Sequence, residues 1–581
     1  MLNGRRGFTW ILALFVFVGV LGLSSGPGAQ APARVEPASL VIHNGKIVTV
    51  DEAKPEAQAM AMRGDTIVAV GTEAEIKPHI GPATKVIDLN GALAVPGLID
   101  SHGHFTGIGQ AKLGLELMKV ANWDEIVAMV ADAVKRAKPG AWIVGRGWHQ
   151  EKWNTRPDPS VEGFPTHPSL DKVSPNNPVV LTHASGHATF ANAKAMELAG
   201  ITRDTPNPPG GEILKDAQGY PIGVFRETAS GLLGRAQRAA RDAMTPAELE
   251  AEARKIVQLA DKECLTKGVT TFHDAGSSFQ TIDLFKQMAQ EGKLGLRLYV
   301  MVRESNARLA ENLAKYRTIG FANNHVTLRA IKVTIDGALG SRGAWLLEPY
   351  TDMPTSTGLN TTLVDSARAT AKLAIANGYQ FCIHAIGDRA NRELLNIYEE
   401  AFTANPDKKD LRWRDEHSQH LNPADIARFG KLGVIAAMQG IHCTSDAPYV
   451  LARLGPKRAE EGAYVWQKLM KTGAVIANGT DAPVEDVDPI ASYYATVSRR
   501  LKDGSVFFGD QRMSRMEALK SYTINGAFAA FEEHLKGSLK VGKLGDVTVL
   551  SQDILTIPED RIPTAKVLYT IVGGKVLYQR Q

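Results

Sequence analysis

Two histidines one residue apart, His102 and His104, follow the apolar run Ala94–Asp100. The run has the character of a buried strand, and residues i and i+2 of a strand point to the same face. The two imidazoles can therefore converge on one point, most usefully on a divalent metal ion. Gly103 between them allows a close backbone approach. Taken alone, such a pair is more often a surface or satisfied core pair than a metal site, so the rest of the chain decides.

Short apolar runs, the first of which leads into His102, alternate with helical stretches, a pattern typical of βα units and a parallel sheet. The predicted strands are Leu98–Phe105, Val269–Ala275, Leu296–Arg303, Leu328–Gly337, Tyr379–Gly387, Trp413–His420, Val434–His442 and Val475–Pro483. Predicted helices at Pro246–Lys267, Ser366–Asn377 and Arg389–Ala404 fall between several of them. We therefore predict the α/β class and a TIM-like (β/α)₈ barrel.

Ionisable side chains recur at the ends of most of these strands, where barrel enzymes place their active sites. They are His102, His104, His273, Asp274, Lys332, Asp336, His384, Asp388, Glu416, His417, His420, His442 and Asp481. Their concentration at one end of the predicted strands indicates a catalytic or metal-binding site there.

The regions outside the regular βα pattern predict two further parts. A long stretch rich in tryptophan and proline separates the first two strands, and we expect this insertion, about 110–250, to cap the active site. Short strands at both ends of the chain predict a small β-sandwich domain from residues 34–95 and 535–581, with the barrel at 96–534. An Asn-Gly pair at Asn44 predicts a hairpin within the first part.

The first 33 residues are typical of a signal peptide. Arg5 and Arg6 precede an apolar run from Phe8 to Leu23, and Ala31-Pro32-Ala33 offers a cleavage site. The run is short for a membrane span, although an uncleaved anchor stays an alternative. We expect export to the periplasm or secretion, either by the twin-arginine route or as an ordinary secretory protein.

Composition excludes several other functions. The 581-residue chain has a net charge of only +4 and no basic stripe with interleaved aromatic residues, so we expect no nucleic-acid partner. Its three cysteines are far apart and form neither a disulfide framework nor a zinc-finger pattern. We expect a small-molecule substrate and no stable membrane association after cleavage, and we leave a homodimer open.

Seven sequence segments together resemble the amidohydrolase superfamily of metal-dependent hydrolases. They are PGLIDSHGH (96–104), SGHATFANAKAMELAGI (185–201), PPGGEI (208–213), IKVTIDGALGSR (331–342), HAIGDRA (384–390), DEHSQH (415–420) and NGTDAPV (478–484). Within the superfamily, the sequence is most similar to the amidohydrolase-3 branch, which includes N-substituted formamide deformylases.

The resemblance implies a metal centre in the barrel. Its implied ligands are His102, His104, Lys332, His384, His417 and Asp481. Because an ammonium group has no lone pair, Lys332 would bind metal only when carboxylated, and it would then bridge two Zn²⁺ ions. The alternative is an ion-paired Lys332 beside a single metal. Zinc is the default ion, with manganese, iron and nickel as alternatives.

The resemblance also implies a reaction, the hydrolysis of a carbon–nitrogen bond in a small amide, N-formyl or N-acyl compound. A metal-bound hydroxide would attack, with Asp481 as general base and then general acid. The implied substrate-binding residues are His187, His442, Asp336, Arg342 and Trp148, although Trp148 also suits the packing of the insertion. Hydrolysis of cyclic amides, esters or carbamates is one alternative, and a non-catalytic regulatory or sensor protein on the same barrel is another.

Overall fold

Eight parallel strands form a nearly closed barrel in the computed structural model, which describes residues 35–581. The predicted signal peptide, residues 1–33, lies outside the described part of the chain. The barrel strands are β1 (Leu98–Gly103), β2 (Val269–Ser277), β3 (Arg297–Val302), β4 (Val326–Thr334), β5 (Gln380–Ala385), β6 (Arg414–His417), β7 (Ile435–Gln439) and β8 (Ile476–Gly479). Each strand pairs in parallel with its neighbours in chain order, which confirms the predicted TIM-like fold.

The barrel closes where β1 and β8 meet, at the end that carries the histidines. Beyond the strands themselves, Asp481 N donates to His102 O at 2.7 Å and His104 N donates to Ala482 O at 2.7 Å. The buried Asp100 carboxylate accepts the backbone N–H of Thr480 at 3.0 Å. These bonds hold the ends of the first and last strands together and fix the backbone of both predicted ligand segments.

Helices cover the outside of the barrel, and the three that we predicted are among them. The barrel helices are Phe105–Ala111, Pro246–Thr266, Phe279–Gln290, Asn306–Tyr316, Phe321–Asn324, Val364–Asn377, Asp388–Ala404, Pro423–Leu432, Gly440–Gly462, Trp466–Lys471, Pro489–Ser498, Arg515–Ser521 and Ile524–Ala529. Within residues 35–581, no helix has the combination of length and apolarity that a membrane crossing requires.

Residues between β1 and β2 form a separate layer with its own sheet and core. Its sheet contains Leu115–Glu116, Ile143–Trp148, Val179–His183, Ala188–Ala191, Gly211–Lys215 and Pro221–Glu227. Its helices are Trp123–Arg136, Pro168–Val173, Ala193–Leu198 and Ser230–Arg241, and a short strand pair joins Ser160–Val161 to Phe164–Pro165. Trp148 and Phe190 are fully buried in its hydrophobic core.

The two ends of the described chain build two sheets that share one hydrophobic cluster. One sheet contains Thr66–Gly71, Ala59–Arg63, Leu40–His43 and Lys85–Asp88, and the other contains Lys575–Gln579, Val567–Val572, Val547–Leu550, Leu93–Pro96, Lys46–Val48 and Glu56–Ala57. The predicted hairpin at Asn44 is wrong, because the chain crosses there from the first sheet to the second. Both flanking strands are largely buried, and each completes a different sheet.

A buried ion pair joins the barrel to the terminal sheets. The guanidinium of Arg297, at the start of β3, donates to both carboxylate oxygens of Asp546 at 2.8 and 3.0 Å. Asp546 also accepts the backbone N–H of Gly573 at 2.8 Å. Burial raises the pKa of Asp546, but the Arg297 guanidinium outweighs it and holds the pKa below its usual value.

We expect Asp546→Asn to lower the free energy of unfolding by about 3–5 kcal/mol, because it leaves the buried Arg297 without a counter-charge. The folded-state pKa is depressed, so the pair stabilises the fold above about pH 4 and this stabilisation is lost as the pH falls further. Urea unfolding at pH 7 and pH 3.5 measures both effects. The exposed Asp407→Asn is the control, and equal stability of the two variants at pH 7 would contradict the assignment.

Candidate metal centre

Three side chains from the ends of different strands meet in the barrel mouth. They are His102 at the end of β1, His417 at the end of β6 and Asp481, two residues after β8. All three are buried, and one potential ligand atom of each lies within 4.8 Å of the others. Two of the backbones are strained, since φ is +88° at His417 and +57° at Asp481. Such conformations are costly outside glycine and cluster at functional sites.

Hydrogen bonds on the far side of two rings direct their other nitrogens toward the cluster. His102 Nδ1 contacts the Glu416 carboxylate, and His417 Nδ1 lies 2.7 Å from Gln439 Oε1. With Nδ1 engaged, Nε2 carries the free lone pair, and the buried His102 Nε2 has no hydrogen-bond partner among the described residues. Burial and the nearby Lys332 charge lower the pKa of His102 to about 4, so this ring is neutral at pH 7.

The three other predicted ligands lie around this cluster. His104 Nε2 lies 3.3 Å from Asp481 Oδ1, and the rings of His384 and His417 are 4.4 Å apart. Lys332, on β4, is buried near these rings, and burial lowers its pKa to about 8. The structure thus brings the six predicted ligands to one end of the barrel, three of them as a tight group.

Glu416 is the functional candidate to which the sequence analysis assigned no role. Burial alone raises its pKa, but Arg414 and His102 hold that pKa far below its usual range. Arg414 Nη2 donates to Glu416 Oε2 at 2.9 Å and to the Ser101 carbonyl at 2.6 Å. The available signal was spacing, since residues 414 and 416 of a strand share one face and carry opposite charges.

Two of the predicted substrate residues line a small inner pocket beside the cluster, about 40 Å³ in volume. His442 Nδ1 accepts a hydrogen bond from Gln419 Nε2 at 2.7 Å, so its proton is on Nε2, 3.8 Å from Asp481 Oδ2. His187 belongs to the insertion, and its Nδ1 lies 2.7 Å from Glu227 Oε2. His442 is therefore set up as a hydrogen-bond donor and His187 as a group that reaches the site from the insertion.

The other three predicted substrate residues have different surroundings. The Asp336 carboxylate accepts the backbone N–H groups of Trp345, Ile386 and Gly387 at 2.8–3.0 Å. Arg342 Nη2 donates to Asp352 at 3.1 Å. Trp148 packs inside the insertion, and its indole N–H donates to the Leu181 carbonyl at 2.9 Å. None of the three lines the inner pocket or the larger cavity described below, so their role as substrate contacts stays a prediction.

A larger cavity of about 920 Å³ lies beside the cluster, between the barrel and the insertion. The barrel contributes His104, Lys332 and His384 to its wall, and the insertion contributes Arg146 and His187. Arg146 also links the two parts, because it donates to the Pro483 carbonyl at 3.1 Å and to the Ala184 carbonyl at 3.0 Å. This volume suits a small-molecule ligand.

Comparison with known proteins decides the family. The model of the amidohydrolase family matches residues 85–578. The chain belongs to the amidohydrolase family. This confirms the resemblance drawn from the seven sequence segments.

Individual proteins are similar to this chain over nearly its whole length. The Arabidopsis thaliana protein LONG AFTER FAR-RED 3 is 35% identical over 93% of this chain and 92% of its own. The N-substituted formamide deformylase of Arthrobacter pascens is 27% identical over 93% of this chain and 98% of its own. A crystal structure of an uncharacterized metal-dependent hydrolase from Pyrococcus horikoshii, 24% identical, superposes with a TM-score of 0.70 over 90% of this chain and 99% of its own, which supports the fold.

We expect Glu416→Gln to weaken divalent-metal binding about 10- to 100-fold, because the variant loses the carboxylate that orients His102 and increases its basicity. Chelator competition with Zn²⁺ measures the affinity, and circular dichroism checks the fold. Glu311→Gln, at an exposed position, is the matched control. A Zn²⁺ affinity within twofold of the unmodified protein would show that Glu416 does not support the centre.

Proposed function

We propose that this amidohydrolase family member is a metal-dependent hydrolase of a carbon–nitrogen bond in a small amide, N-formyl or N-acyl compound. The observation that carries the proposal is the buried group of His102, His417 and Asp481, with an orphaned His102 Nε2 directed into it. Neutral imidazole and carboxylate are the donor set of zinc and similar ions. The deformylase among the relatives supports a carbon–nitrogen bond as the target.

We propose that the six predicted ligands hold a two-metal centre. His102, His104 and Asp481 would hold one ion, and His384 and His417 a second. Lys332 would bridge them as a carbamate, and a pKa of about 8 leaves part of its amine neutral near pH 7, in the form that reacts with carbon dioxide. Divalent ions there would polarise the substrate carbonyl and acidify a water molecule.

The protein side chains around the cluster supply the proton transfers. Asp481 lines the inner pocket, where its carboxylate would take a proton from the attacking water and deliver it to the leaving nitrogen. His442 Nε2–H would donate to the carbonyl oxygen as negative charge develops there. His187, held by Glu227, would contact the substrate from the insertion.

We expect Asp481→Asn to lower kcat at least 100-fold, because an amide cannot accept the proton from water. The assay uses a panel of N-formyl, N-acetyl and N-acyl compounds together with cyclic amides, esters and carbamates, with metal content measured on the same samples. Asp132→Asn, exposed on an insertion helix, is the control.

Two outcomes would contradict the proposal. Full turnover by Asp481→Asn would remove the assigned role of that residue. A protein purified without chelators that holds no divalent metal and gains no hydrolysis from added metal would remove the enzymatic function, and would favour a regulatory role.

We propose that the chain is exported through its first 33 residues to the periplasm or beyond. A pair of arginines before an apolar run supports the twin-arginine route, which transports folded and metal-loaded proteins. We expect the double substitution Arg5→Lys and Arg6→Lys to retain the protein in the cytoplasm of a bacterial host, as cell fractionation would show. Normal export of the variant would identify the ordinary secretory route instead.

A further inference from the structure

The wall of the large cavity carries positive charge that its own residues do not neutralise. Among its acidic residues, Glu227 pairs with His187 and Glu252 pairs with Arg241 at 3.3 Å. Three cationic side chains of the same wall have no carboxylate partner in the described part of the chain. They are Arg146, Arg303 and Lys332. The cavity is therefore matched to a ligand that brings negative charge.

Two of these three side chains already have another structural or proposed role. Arg146 donates two N–H groups to the carbonyls of Pro483 and Ala184 and so connects the insertion to the barrel. Lys332 belongs to the proposed metal centre, where carboxylation would replace its positive charge with a negative one, so it does not count toward binding an anionic ligand. Arg303 alone has no such assignment, since its guanidinium donates no hydrogen bond and forms no ion pair with any residue from 35 to 581. The side chain is exposed and lines the cavity, and its guanidinium is charged at any physiological pH.

The position of Arg303 relates it to the reacting atoms. It directly follows β3, and its backbone N–H is fixed to the Ser277 carbonyl at 2.9 Å. Its side chain runs past Gly276, because a Cβ atom on that glycine would lie 3.0 Å from Arg303 Cδ and 3.7 Å from Lys332 Cγ. Arg303 and Lys332 are thus neighbours, and both line the cavity whose wall also includes the predicted ligands His104 and His384.

We propose that Arg303 binds the carboxylate of the substrate, and that the substrate class is N-acylated amino acids and related amido acids. Arginine presents paired N–H groups that match a carboxylate. Apolar residues of the same cavity offer a place for a side chain or acyl group, namely Leu113, Trp142, Val144, Met244 and Ile256. This inference rests on the proposed function for its reaction, but its binding step can be measured without turnover.

The test compares free acids with their uncharged amides. N-acetyl derivatives of glycine, alanine, leucine and phenylalanine, each as acid and as primary amide, are titrated into the zinc-loaded protein by calorimetry, and kcat/KM is measured for every pair that is hydrolysed. We expect at least one acid to be preferred over its amide by about 10- to 100-fold. Arg303→Gln should reduce that ratio to near one, and Arg303→Lys should retain part of it.

Arg136→Gln is the matched control, since it removes the same charge from an exposed helix end that does not line the cavity. Its acid-to-amide ratio should equal that of the unmodified protein. The inference is overturned if no acid binds more tightly than its amide, or if Arg303→Gln keeps the preference. Preferential binding of the acids without hydrolysis would support the Arg303 assignment while removing the proposed reaction, so the two failures are distinct.

Discussion

The ion pair between Arg414 and Glu416 is the interaction on which the arrangement of the barrel interior depends. Both side chains are fully buried, so neither charge can be left unpaired without a large cost. The pair reaches β1 through the Ser101 carbonyl and His102, and it reaches β2 through His273 Nδ1, 3.1 Å from Arg414 Nη1. One pair of charges therefore fixes the relative position of three strands and the tautomer of a predicted ligand.

The same constraint explains why so many ionisable groups can share a buried site. Desolvation keeps the rings of His102, His384 and His417 neutral, which is the state that metal binding requires. The parallel barrel supplies their backbones with partners, so the strained conformations at His417 and Asp481 are stabilised by the surrounding strands. Folding and metal-site formation thus depend on the same closure of β1 against β8.

Much of this could be predicted from the sequence because the signals were local. Most barrel strands are short apolar runs, and most predicted ligands lie at or just beyond a strand end, so both could be predicted without knowing the pairing. The exceptions are β6, which consists of the ionisable residues Arg414–His417, and Lys332, which lies within β4. The contact of Glu416 with His102 joins residues far apart in sequence, and no local pattern encodes it. The same holds for Arg303, since no local pattern shows that its guanidinium has no hydrogen-bond or ion-pair partner among residues 35–581.

Local signals failed where tertiary contacts made the choice. The Asn-Gly pair at Asn44 is typical of a hairpin, yet the two flanking strands gain more burial by entering separate sheets. Asp336 lies at a strand end like the ligands, but three backbone N–H groups of neighbouring loops surround its carboxylate. Asp336 and the predicted ligand Asp481 are both aspartates near strand ends, and only the packing around their carboxylates differs.

The link that Arg146 makes between the insertion and the barrel has a mechanical consequence. Pro483 is two residues beyond Asp481, so the insertion and the loop that carries Asp481 are parts of one hydrogen-bonded unit. An insertion that moved away from the barrel mouth would pull on that loop. In the proposed metal-bound enzyme, exchange of small molecules and exchange of metal ions would therefore be coupled.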